Sequence, residues 1–207
     1  MSPINPIHFI YFDVGGVLLE FERSRTEIPQ IFGIDKVSYS QIMANVAHQR
    51  NIGKLNGQEL EVIFNKEFGK VFPKGYWVTG QSAEFFSPIK EMHDFIVKLA
   101  THYRLGLLTN VNREIHERIQ KDFITVLYPP VDFEIKITSF EEGVAKPDLE
   151  IYRRAIARTN LHAAEILFID DKLENITAAK QAGMQAMLFE TKNPQKMIEN
   201  LSKLLLS

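Results

Sequence analysis

The sequence predicts an α/β fold: a parallel sheet of five strands flanked by helices, with a small helical insertion after the first strand. Three observations predict it. Five short segments rich in β-branched and aromatic residues are apolar on both faces, as strands buried on both sides of a sheet must be. Helix-patterned stretches separate them, which is the alternation of a parallel α/β architecture. The gap between the first two segments, residues 20–86, is too long for a simple crossover and too patterned for a loop.

The first strand is expected over His8 to Val14, where an almost unbroken apolar run ends on Asp13 and is followed by Gly15 and Gly16. The insertion carries four helix-like pieces, Thr26 to Phe32, Tyr39 to Arg50, Gly57 to Phe68 and Tyr76 to Phe86, punctuated by Gly33, Gly53, Gly69 and Gly75. It reads as a small helical cap whose aromatics, Phe64, Phe68, Trp77, Phe85 and Phe86, form its own core. Ser87-Pro88 offers an N-cap and an N1 proline to a helix lined by Ile89, Met92, Ile96 and Leu99. The second and third strands are expected over Arg104 to Asn110 and Phe133 to Ser139. A helix then follows Pro147, with Asp148 favourable to its dipole and Leu149, Tyr152 and Ile156 as its inward stripe. The fourth strand, Glu165 to Asp170, leads into a helix closed by Gly183, the fifth runs from Met184 to Glu190, and Pro194 opens a last helix ending in Leu201, Leu204 and Leu205. The chain thus divides into a core of residues 1–19 and 87–207 and a cap of residues 20–86.

Bulk properties narrow the class. At 207 residues with 45% hydrophobic content the chain suits one domain carrying an insertion. A net charge of -2 with scattered basic residues gives no electrostatic footprint for nucleic acid, so a small-molecule partner is expected. The absence of Cys excludes disulfides and thiolate chemistry and fits a reducing cytoplasm. The opening Met-Ser-Pro-Ile-Asn-Pro has no basic leader, and no apolar run is long enough to cross a bilayer. A soluble, cytoplasmic protein without membrane partners is expected, monomer and dimer both remaining open.

The polar residues at the strand ends carry the chemistry. Asp13, ionised at neutral pH, can attack phosphorus without a general base and form an aspartyl-phosphate. An anion approaching a phosphate dianion is repelled, and a magnesium ion held by hard oxygens removes most of that repulsion. Asp170 and Asp171 supply such oxygens, and the Gly15 carbonyl can supply another. Thr109 and Asn110 end a strand expected beside the first, where hydroxyl, amide and backbone N–H groups can hold phosphoryl oxygens; Gly16 joins this phosphate-binding set. Lys146 completes the charge balance as a fixed cation. All of these fall at the carboxyl ends of predicted strands, the edge where α/β sheets bind ligands.

These segments resemble the motifs of the haloacid dehalogenase-like superfamily, mostly magnesium-dependent phosphatases. Phe12 to Leu18 resembles its first motif, Leu108-Thr109-Asn110 its second, Gly143 to Asp148 with Ile151-Tyr152 its third, and Phe168 to Asp171 with Asn175 its fourth. The resemblance covers residues 8–190 and implies a Rossmann-like sheet in the order 5-4-1-2-3. It implies Asp13 as nucleophile and metal ligand, and Asp171 as the more direct metal ligand of its pair. One departure matters: most of the family's phosphatases carry a second aspartate, the general acid/base, where this chain has Gly15. A subgroup resembling bacterial glucose-1-phosphate phosphatases shares that glycine.

The resulting expectation is a magnesium-dependent phosphatase of a small phosphorylated metabolite, possibly a sugar phosphate as substrate. Two alternatives stand beside it: a 2-haloacid dehalogenase, whose halide needs no general acid, and a phosphate-binding module with little turnover. Arg23, Arg25, Arg50 and Arg113 are candidate anion readers, and His48 is a candidate replacement for the missing acid/base.

Overall fold

The computed structural model describes residues 6–206; positions 1–5 of the expected core segment, and Ser207, lie outside them. Five strands, β1 (Phe9–Phe12), β4 (Arg104–Thr109), β5 (Ile135–Thr138), β6 (Ile166–Asp170) and β7 (Gln185–Leu188), form one parallel sheet in the order β5-β4-β1-β6-β7. Numbered as core strands, this is the expected 5-4-1-2-3. The register aligns Phe12 with Leu107 on one side and with Ile169 on the other, so the carboxyl ends of the three central strands finish side by side.

Alternation across β1 explains its continuous apolar sequence. Ile10 and Phe12 face one core with Leu105, Leu107, Leu167 and Ile169, closed by α4 (Lys90–Leu99) and α10 (Pro194–Leu205). Phe9 and Tyr11 face the other with Leu108 and Phe168, closed by α8 (Leu149–Thr159) and α9 (Leu173–Gln181). Each such side chain contributes about 1.5–3 kcal/mol through burial. The expected stripe of α8 holds: Tyr152 is buried, its hydroxyl donating to the Asn175 carbonyl at 3.0 Å, and Leu149 and Ile156 pack beside it, with Ile151 and Ala155 buried as well. Gly183 closes α9 at a φ of 92° and Pro194 opens α10, both as expected. The two edge strands are less buried than the three central ones: β7 is half buried and β5 is buried only at Ile137 and Thr138.

Between β4 and β5 the chain forms a helical segment that the periodicity did not reveal: α5 (Arg113–Arg118), a π-helical stretch Ile119–Phe123, and α6 (Ile124–Leu127). A short helix, α7 (Ser139–Glu142), follows β5.

The insertion begins with β2 (Leu19–Glu20) and ends with β3 (Ser87–Pro88), which pair antiparallel. Ser87-Pro88 is therefore a strand rather than a helix cap: the Ile89 N–H donates to the Leu18 carbonyl at 2.8 Å, and α4 starts only at Lys90. Within it lie α1 (Glu22–Ile31), α2 (Lys36–Asn51) and α3 (Gly57–Phe68). The last is opened by a reciprocal capping box between Asn56 and Glu59. The expected fourth helix is absent; turns lead to a 3₁₀ segment, Gln81–Phe85. Positive φ at Gly75 and Gly80 breaks the period there. Phe64, Phe72, Tyr76 and Trp77 anchor a separate hydrophobic cluster, with Phe64 and Trp77 stacked at 4.8 Å. Phe68 and Phe85 pack against it, whereas Phe86 packs instead against the core on the α4 side of the sheet.

Candidate active site

The site lies where β1, β4 and β6 end. Asp13 continues β1 by one residue, its N–H donating to the Ile169 carbonyl at 2.9 Å, and its Oδ1 accepts from the Val14 N–H at 2.7 Å. Lys146 is buried beneath it. Its ammonium lies 3.0 Å from Asp13 Oδ1 and 2.6 Å from Asp170 Oδ2, and donates to the Leu108 carbonyl at 2.8 Å. Three directed contacts use its three protons.

Asp170 is fully engaged. Its Oδ1 accepts from the Lys172 N–H at 2.8 Å and Asn175 Nδ2 at 3.0 Å, and its Oδ2 accepts from Asn175 and Lys146. Asp171 differs: its Oδ1 is buried with no hydrogen-bond partner. Carboxylate oxygens of Asp13, Asp170 and Asp171 lie within 4.8 Å of one another. Three carboxylates against one ammonium leave two formal negative charges, and a buried unpartnered oxygen on one of them fits a hard divalent cation such as magnesium.

The electrostatics agree. Burial pushes the Asp13 carboxyl up to about 6 against the pull of Lys146. Burial, reinforced by Asp170, also raises Asp171. Burial opposes charge on Lys146 and Asp170 as well, yet their mutual attraction, with Asn175 and the Lys172 N–H for Asp170, wins: Lys146 is held above and Asp170 below the usual range.

The two glycines have different reasons. Gly16 adopts a φ of 80°, and a side chain there would sit 2.9 Å from Asp171 Cβ and nearer its carboxylate. Gly15 carries no such backbone constraint; an added Cβ would stand 2.7 Å from Cε1 of Phe21.

Thr109 is buried and, with Gly15 and Asn110, lines a cleft of about 140 Å³. The Asn110 amide is hydrogen-bonded at both ends to the Lys146 backbone, which leaves its second N–H for a ligand. His116 and Tyr128 also line the cleft, supplied by the unanticipated helical segment. Asn112 caps α5 through the Ile115 N–H, and that capping asparagine one turn before His116 was the available signal; Tyr128 had none. Burial lowers the His116 pKa and raises that of Tyr128, so both favour neutral forms.

Of the candidate anion readers, Arg25 and Arg50 line a neighbouring cavity. Arg23 and Arg113 are exposed and pair with Glu27 and Glu117 on their own helices. His48 is exposed and lines neither cavity.

A family model, haloacid dehalogenase-like hydrolase, matches residues 7–183. The chain belongs to this family. Family membership makes it a hydrolase. Among curated relatives, D-ribitol-5-phosphate phosphatase of Bacteroides thetaiotaomicron is 26% identical over 198 residues, covering 90% of this chain and 91% of that protein. Sesquiterpene phosphatase astK of Aspergillus oryzae is 51% identical over 43 residues, 21% of this chain; the chain spans only 22% of that protein's length. A HAD family enzyme of Bacteroides thetaiotaomicron, solved with magnesium and inorganic phosphate, superposes with a TM-score of 0.72 at 22% identity, covering 88% of this chain and 93% of that one. No helix among the described residues is long and apolar enough to cross a membrane.

Proposed function

We propose that this hydrolase is a magnesium-dependent phosphatase of a small phosphorylated metabolite, with Asp13 as nucleophile. The observation that carries the reading is the cluster of Asp13, Asp170 and Asp171 around the Lys146 ammonium, with Asp171 Oδ1 lacking any partner. The phosphatase named among its relatives supports the substrate class.

Asp13 attacks phosphorus, the P–O bond to the alcohol breaks, and water then hydrolyses the resulting aspartyl-phosphate. Lys146 holds the Asp13 carboxylate in place and offsets charge on the phosphoryl group. Asp170 holds Lys146, and Thr109 with the backbone of Gly16 and Asn110 presents polar groups to the phosphoryl oxygens. Magnesium, held by Asp13, Asp171 and the Gly15 carbonyl with Asp170 in support, would neutralise the repulsion between nucleophile and phosphate. Residues 20–86 act as a cap that excludes water and selects the substrate. The same carboxylate cluster argues against the dehalogenase alternative, since halide displacement from carbon needs no divalent cation.

The test is a screen of sugar phosphates, polyol phosphates and aryl phosphates with and without magnesium, with Asp13→Asn in parallel. Magnesium-dependent phosphate release that vanishes in the variant is expected. Turnover undiminished by chelator would reject the reading.

A further inference from the structure

The cavity beside the cleft has about 490 Å³ of space and shares four wall residues with it: Phe21, Phe86, Asn112 and Ile115. Arg50, in the last turn of α2, lines this cavity and is only 5% exposed. Its Nε has no hydrogen-bond partner. The nearest counter-charge, Glu114 Oε2, stands 3.9 Å away, and the other oxygen of Glu114 already accepts from the Gly57 N–H at 2.7 Å.

A guanidinium has five N–H donors, and burying it beside one loosely placed carboxylate leaves Nε with no acceptor and no close ion pair for the rest. Folding alone gives no reason to place it there, because a buried cation short of acceptors is destabilising. In a largely apolar wall the polar groups are few: Ser40 and Ser82 bring hydroxyls, and Arg25, 3.8 Å from Glu22, brings a second cation. Together with the cleft, the space is of the size that takes a metabolite.

We propose that Arg50 is the centre of a second binding subsite, which takes an oxyanion, a carboxylate or a second phosphoryl group, at the end of the substrate remote from Asp13. This rests on the phosphatase reading for the position of the first phosphate. Planar oxyanions match the guanidinium fork bidentately, whereas the hydroxyl of a neutral polyol supplies one weak acceptor. The substrate class is therefore a phosphorylated acid or a bisphosphate rather than a neutral polyol phosphate.

Three six-carbon probes separate the cases: glucitol 6-phosphate (neutral end), 6-phosphogluconate (carboxylate) and fructose 1,6-bisphosphate (phosphoryl). Binding of each to Asp13→Asn protein with magnesium is measured by calorimetry, and kcat/KM is measured with wild type, Arg50→Lys and Arg50→Gln. One or both anionic probes should bind more tightly than the neutral one by about tenfold or more, as a charge-assisted pair supports. Arg50→Gln should remove that preference mainly through KM, and Arg50→Lys should keep part of it. Equal or tighter binding of glucitol 6-phosphate, no binding of any probe, or a preference that survives in Arg50→Gln would overturn the subsite. The calorimetric comparison needs no folded Arg50 variant. Selective anion binding without wild-type turnover would sink the phosphatase reading alone, and turnover without selectivity would sink the subsite alone.

Discussion

Asn110 and Lys146 are joined reciprocally: the Lys146 N–H donates to Asn110 Oδ1 at 2.9 Å, and Asn110 Nδ2 donates to the Lys146 carbonyl at 2.9 Å. This bridge ties the end of β4 to the loop before α8 and fixes the point from which the lysine side chain reaches Asp13. Asn110→Ala removes both bonds. A loss of about 1–3 kcal/mol in urea unfolding is expected, together with a fall in turnover of about tenfold or more as Lys146 loses its position. Unchanged turnover would mean that Lys146 is held by its three ammonium contacts alone.

Asp13→Asn should reduce hydrolysis by at least about 10³-fold, since an amide is a far weaker nucleophile. The fold should not suffer. Removing one of three clustered carboxylates relieves repulsion, so the variant's melting temperature in chelator should equal or exceed that of wild type. A large drop there would give Asp13 a structural role instead.

Magnesium should raise the stability of the wild type by about 2.7 kcal/mol at a hundredfold excess over its Kd, because it binds only the assembled cluster. Asp171→Asn should lose most of that gain. Gly16→Ala should lose it too, by pushing a methyl group into the Asp171 carboxylate. Thermal melts across a magnesium titration decide both.

The glycine at position 15 leaves the departing alcohol without its usual acid, and burial keeps His116 neutral near pH 7. Turnover should therefore fall steeply as leaving-group pKa rises from aryl to alkyl phosphates. Acidification that forms imidazolium on His116, which burial displaces to lower pH, should raise the alkyl-to-aryl rate ratio, and His116→Gln should abolish that rise. Restoring the carboxylate as Gly15→Asp collides with Phe21 and not with the backbone. The paired change Gly15→Asp with Phe21→Ala should help alkyl substrates more than Gly15→Asp alone.

The sheet was legible because β1, β4 and β6 are buried on both faces and their sequences carry nothing else. Asp13, Lys146, Asp170 and Asp171 were legible for the complementary reason: each is a charge placed where such a run or its following loop ends. What escaped depends on tertiary geometry. The stretch Tyr76 to Phe86 is patterned like a helix, while Gly75 and Gly80 turn the chain away. Ser87-Pro88 reads as a cap until Leu19 is seen opposite Pro88. That Asn110 also clamps the Lys146 backbone shows only in the folded chain, and the Gly15 requirement lies in the distant ring of Phe21 rather than in its own φ.

The pairing of Leu19 with Pro88 and of Glu20 with Ser87 makes the two crossings into and out of the insertion adjacent rungs of one ladder. Nearly seventy residues therefore enter and leave through this one clasp, while Gly57, Arg50 and Glu84 add contacts to Glu114 and Arg118 of α5. Neither strand of the clasp pairs with β1, β4 or β6, so exchange of sequence beyond it should leave their ends in place where the contacts to α5 are kept. The proposed selector can then be exchanged on the same chemical core, by cutting at Glu20 and Ser87 and grafting a relative's insertion between them.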